Sequence, residues 1–105
     1  MEKRPAARYD FRCEAEFRKH GGNAPLRGVL NDISLSGCYL ETMMPEPVGT
    51  QVEVSFQVNG VRVSLPGVVR VVHPSMGMGI EFLPLAAEAA SALQNLVKAQ
   101  AAGAS

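Results

Sequence analysis

Residues 51–72 read QVEVSFQVNGVRVSLPGVVRVV. Val52, Val54, Phe56 and Val58 alternate with polar neighbours, the period-two pattern of a strand that buries one face. Asn59-Gly60 follows, and then an apolar run returns. Asn-Gly between two such runs is the strongest short-range hairpin signal, because both residues accept the positive φ that the favoured two-residue turn needs. Pro66-Gly67 falls inside the return strand and predicts a bend or a bulge, since proline brings no N–H to a ladder.

The same period extends outward from this hairpin. Upstream, Tyr9, Phe11, Cys13, Ala15 and Phe17 alternate with Asp10, Arg12, Glu14, Glu16 and Arg18, which predicts a first strand. KHGGNAP (19–25) breaks it. LRGVLNDIS (26–34) and GCYLETM (37–43) follow as strands, and MPEPVG (44–49) as a loop. Downstream, HPSMG (73–77) is a turn, and MGIEFLP (78–84) is a last strand with Met78, Ile80 and Phe82 on one face. The tail is Ala-rich, with Leu85, Ala89, Leu93, Leu96 and Val97 at helical spacing. Six short strands and then a helix predict an all-β fold, a six-stranded antiparallel β-barrel with a C-terminal helix. The expected organisation is one domain over 1–105, with an N-terminal arm at 1–8, the barrel at 9–83 and the helix at 85–100.

Composition narrows the function. The chain has 105 residues, no net charge, and 47 % hydrophobic and 19 % charged residues. That composition is globular, and it gives no whole-body field to draw in nucleic acid or an anionic membrane. Any anion site must therefore be local. Seven arginines outnumber three lysines, and Arg offers a rigid fork that grips phosphate or a base edge bidentately. No apolar run approaches a membrane span and no signal-peptide core follows the N-terminus, so the expected location is the cytoplasm. Cys13 and Cys38 fall on apolar strand positions and read as plain buried thiols; no Cys/His spacing suggests a metal.

Two motifs remain. RPAAR (4–8) precedes the first strand, and on an extended backbone its even spacing places Arg4 and Arg8 on one side. DISLSG (32–37) sits at a strand-turn-strand junction. Asp32 supplies two carboxylate acceptors, Ser34 and Ser36 supply hydroxyls, and Gly37 permits a backbone conformation or a close approach that a side chain would block. Forked donors facing an acceptor and a hydroxyl suit a phosphate-bearing purine. Guanine fits best, because its O6/N7 edge accepts from Arg while its N1/N2 edge donates to a carboxylate.

RxxxR near the first strand, [D/N]xSxxG some two dozen residues later, and a closing GVVRVV…GMGIEF (67–72 and 77–82) together resemble the PilZ domain family over nearly the whole chain. The resemblance implies a six-stranded barrel that acts as a receptor for cyclic di-GMP, a ligand and not a cofactor. Arg4 and Arg8 would contact guanine edges and phosphates, Asp32 and Ser34 would hold a guanine, Gly37 would keep the turn shape, and Lys3 would add a phosphate contact. The arm would close over the nucleotide and form a surface for a downstream protein. Ordering eight free arm residues would cost roughly 8–16 kcal/mol, as much as micromolar binding supplies (about 8 kcal/mol), so the arm is expected to be partly ordered beforehand. Arg70, in its apolar run, stands as a candidate for the rim of the site.

Three other classes fit less well. A nucleotide-independent interaction adaptor in pilus or motility regulation would lack RxxxR. A single-stranded nucleic-acid binder needs aromatics stacked in a basic groove, yet the chain has no Trp, two Tyr and four Phe. An enzyme needs a nucleophile-base pair, a metal site or a phosphate loop, none of which the sequence offers. Membrane insertion is not expected, and homodimerisation stays open.

Overall fold

The computed structural model describes residues 11–103 apart from 23 and 59. Lys3, Arg4, Arg8 and the whole proposed arm therefore lie outside the described residues, as does Asn59 of the hairpin. Six strands and a helix follow one another: β1 Cys13–Lys19, β2 Leu26–Ile33, β3 Gly37–Glu41, β4 Gln51–Val58, β5 Val61–His73, β6 Gly77–Phe82 and α1 Ala87–Gly103. Every pairing is antiparallel, and the strands close into a barrel in the order β1-β2-β3-β6-β5-β4. The expected all-β barrel with a C-terminal helix is what the chain forms.

The alternation seen in the sequence does its work at the core. Ala15, Phe17, Val52, Val54, Phe56, Met78 and Ile80 all point inward and are buried. Cys38 is buried as expected, but Cys13, at the start of β1, is only half-buried, and that partial removal from water raises its thiol pKa above the usual value. Phe11 lies just before β1, and its ring meets Phe56 edge-on with centroids 6.2 Å apart. Leu93, Leu96 and Val97 of α1 join the same apolar cluster, and the helix packs on β5. The helix thus completes the core that the strands enclose.

At the β4–β5 hairpin Val58 pairs with Val61, and Gly60 has φ 80°, the left-handed value that glycine takes without steric penalty. The expectation at Pro66-Gly67 needs correction. β5 runs unbroken through both, with Pro66 opposite Glu53 and Gly67 opposite Val52. The Pro66 carbonyl accepts from the Leu83 N–H, beyond the end of β6. In a strand the nitrogen and carbonyl of one residue face the same neighbour, so the missing N–H is lost from the frayed end of the β6 ladder and not from the β4 pairing. The register shift in β5 instead lies between Val69 and Val71, at Arg70.

Candidate functional site

β2 and β3 are joined by the Asp32–Gly37 motif, and its geometry follows from three residues. Asp32 has φ 68° and sits where the β2–β3 register shifts between Asn31 and Ile33. It is a bulge residue in the left-handed region, which Asp and Asn tolerate better than other side chains. The bulge leaves Asp32 half-exposed, and no described side chain hydrogen-bonds to its carboxylate.

Ser34 holds the turn that follows. Its N–H donates to the Gly37 carbonyl at 2.9 Å. Its Oγ accepts from the N–H groups of Ser36 and Gly37, both at 3.1 Å, and its hydroxyl donates to the Gly37 carbonyl at 3.3 Å. The side chain is 1 % exposed. Gly37 meets the requirement for close approach: a Cβ there would fall deep inside the Ile80 carbonyl oxygen of β6. Ser36 ties the turn to the same strand, its carbonyl accepting from Phe82 N–H at 2.8 Å.

Two arrangements beside this turn have no signal in the sequence. Glu41 of β3 accepts from Asn31 Nδ2 at 2.7 Å and from Arg12 Nη1 at 3.1 Å. The hydrogen bonds from Arg12 and then Asn31 lower its carboxyl pKa below the usual value. Tyr39 of β3 lies opposite Asn31, and its Oη is 2.8 Å from His73 Nδ1 of β5. The phenol is the donor when that nitrogen is unprotonated. Burial first, and then the charge on Glu41, push the phenol pKa upward. Only the pairing pattern brings these residues together.

Arg70 projects from the β5 bulge, and its Nε donates to Glu81 Oε1 at 2.6 Å. Glu81 in turn pairs with Gly37 across β3 and β6. Arg70 is therefore two strands from the turn. Arg18 and Arg62 are paired elsewhere on the outer wall, with Glu53 and Glu16. A shallow groove of about 720 Å³ crosses the outer face of β1, but it reaches the neighbourhood of the turn only through Glu41. Among the described residues no cluster of His, Cys, Asp and Glu could hold a metal ion, and no helix is long and apolar enough to cross a membrane.

The comparison with protein families settles which barrel this is: the family model of the PilZ domain matches residues 2–99. The chain belongs to the PilZ domain family. Three solved PilZ-like structures share its fold. One is the PilZ domain of CeSA from a cellulose-synthesizing bacterium, at 19 % identity and TM-score 0.75 over 89 % of this chain and 96 % of that one. Another is the PilZ domain with c-di-GMP of YcgR from Escherichia coli, at 15 % identity and TM-score 0.76 over 98 % and 95 %. The Bacillus subtilis inhibitor of motility, MotI/DgrA, matches at 17 % identity and TM-score 0.74 over 95 % of this chain and 52 % of that one. No curated protein matches the chain. Within the PilZ fold, the Asp32–Gly37 turn, Glu41 and Tyr39 share one stretch of the outer wall.

Proposed function

We propose that this PilZ domain is a cyclic di-GMP receptor whose N-terminal arginines close on the nucleotide against the Asp32 turn. The observation that carries this reading is the register of β1 on β2. Cys13 pairs antiparallel with Leu30, so the chain upstream of Cys13 heads in the direction in which β2 continues, towards Asn31 and Asp32. The Arg12–Glu41 pair crosses β2 beside the Asn31 side chain. Arg8 is three residues from Phe11, a span of at most about 10 Å, and Arg4 is four further on. Both arginines are therefore within chain reach of the turn.

In this reading Arg4 and Arg8 grip phosphate and guanine O6/N7, with Lys3 adding a phosphate contact. The Asp32 carboxylate accepts from guanine N1 and N2. The hydrogen bonds of Ser34 favour a positioning role over direct contact: it fixes the turn that presents Asp32, and Gly37 lets that turn lie against β6. The closed arm and nucleotide together form the surface that a downstream protein reads. The role is binding and not catalysis, and the cytoplasm is its place. The names of the solved relatives point to motility or cellulose synthesis as the class of output.

Isothermal titration calorimetry with cyclic di-GMP on the wild type and on Arg8→Ala tests the reading. The expected result is binding near micromolar or tighter, weakened about ten- to hundredfold in the variant by loss of a charged hydrogen bond. No heat at high ligand concentration, at two temperatures, would overturn it and leave a nucleotide-independent adaptor.

A further inference from the structure

Resting on the receptor reading, we propose that the outer face of β3 and β6 beside the Asp32 turn is a second purine subsite, with Tyr39 as its aromatic wall and Gly79 as its floor. A cyclic dinucleotide carries two guanines, and the Asp32 carboxylate can take the N1/N2 edge of only one.

Four residues form a row across the wall. Asn31 pairs with Tyr39, Tyr39 with Gly79, and Gly79 with Val71, across β2, β3, β6 and β5. The row begins next to the Asp32 bulge. Its third member has no side chain, and neither does Gly77, the next outward position along β6. The two glycines differ in what covers them. A Cβ at Gly77 would come within 2.7 Å of Tyr39 Cε2 and 2.8 Å of its Oη, so the tyrosine ring leans over Gly77. A Cβ at Gly79 would meet, among the described residues, only Val71 Cβ and Cγ1, both at the ordinary contact distance of 3.6 Å. Among the described residues the outer face of the backbone at 79 is therefore bordered only by Val71.

The hydrogen bond to His73 and the tilted ring contact at 5.8 Å hold Tyr39 to that side. Val71, 46 % exposed, bounds the other side. Neighbouring strands lie ~4.8 Å apart, so the β3 and β5 columns are about 10 Å apart, wide enough to admit a planar purine between them. A base seated there would stack by its π-face on aromatic and peptide surface, a contact that requires no further donor. His73 is a positioning residue in this arrangement, since it acts through the Tyr39 ring.

The test uses the chain's own fluorescence. It has two tyrosines and no tryptophan, so in a Tyr9→Phe background the emission reports Tyr39 alone. Cyclic di-GMP should quench that emission with the midpoint found by calorimetry. Tyr39→Leu and Gly79→Val should each weaken binding about tenfold or more. Gly79→Ala serves as the fold control, because its Cβ meets only ordinary contacts; it should melt at or above the wild-type temperature. Calorimetric binding with unmoved Tyr39 emission, or Gly79→Val binding like the wild type, would overturn the subsite and leave the receptor reading standing. Absence of heat in the wild type would overturn the receptor reading, and the subsite with it.

Discussion

At the scale of single residues, the site is a backbone device before it is a set of side chains. Asp32 adopts φ 68° near the turn end of the β2–β3 ladder, a conformation that costs an ordinary L-residue about 1–2 kcal/mol. Asp32→Asn should therefore retain the stability of the wild type in urea unfolding, whereas Asp32→Ala should lose about 1 kcal/mol. Equal losses for both would remove the backbone argument. Ser34→Ala takes away the acceptor of two amide hydrogen bonds in a buried turn. The expected loss is about 1–3 kcal/mol, read from the urea midpoint, with ligand affinity falling because the turn relaxes. These roles were only half legible in the sequence. Asp, Ser and Gly advertise a turn, but no residue type announces that Ser34 will be buried, or that Gly37 answers to the Ile80 carbonyl of a strand more than forty residues away.

At the scale of elements, the strands were readable because their alternation and the inward face of the barrel are one pattern. What misled was a local signal overruled by its neighbours. Pro66 looks like a break, yet it sits where β6 has ended, so β5 passes through it. The bulge at Arg70 left a subtler trace: the apolar positions slip phase, so that Val69 is buried but Val71 is exposed. The Arg12–Glu41–Asn31 cluster joins the segment before β1 to β2 and β3, and it should mark the acid side of the stability curve. The Glu41 pKa is lowered in the folded chain from its usual value of 4.5. Its contribution is therefore full above that value and lost as the pH falls through the folded one. Glu41→Gln should be less stable than the wild type at neutral pH, and the gap should narrow as the pH falls below 4.5, in urea midpoints followed across that range. Helix α1 makes a separate prediction. Leu93 is 1 % exposed, and Leu93→Ala should cost about 2–5 kcal/mol in the same assay; a much smaller loss would mean that the helix is not part of the core.

At the scale of the whole molecule, ligand binding and stability are linked. A ligand held only by the folded state adds about 2.7 kcal/mol at a hundred times its Kd. For a domain near 100 residues each kcal/mol raises the melting temperature by roughly 4–8 °C. Saturating cyclic di-GMP should thus raise the melting temperature by roughly 10 °C or more, and Arg8→Ala should blunt the rise at equal ligand. An unchanged melting curve at saturation would contradict the receptor reading. The barrel was legible from strand count, hairpin signal and chain length taken together. Strand order was not, because the neighbours β3 and β6, which carry the turn and its floor, are brought together only by closure.

That closure reaches beyond stability. Among the described residues each of the six strands has a hydrogen-bonded partner on both sides along at least part of its length, so no strand offers a whole free edge onto which a foreign strand could be zipped. A second copy or a downstream protein therefore finds no whole edge strand to extend among the described residues. Recognition is left to side chains on the wall and to whatever chain is attached at the rim. Substitutions there leave the backbone ladders of the hoop untouched, so the recognised surface can change while the barrel does not.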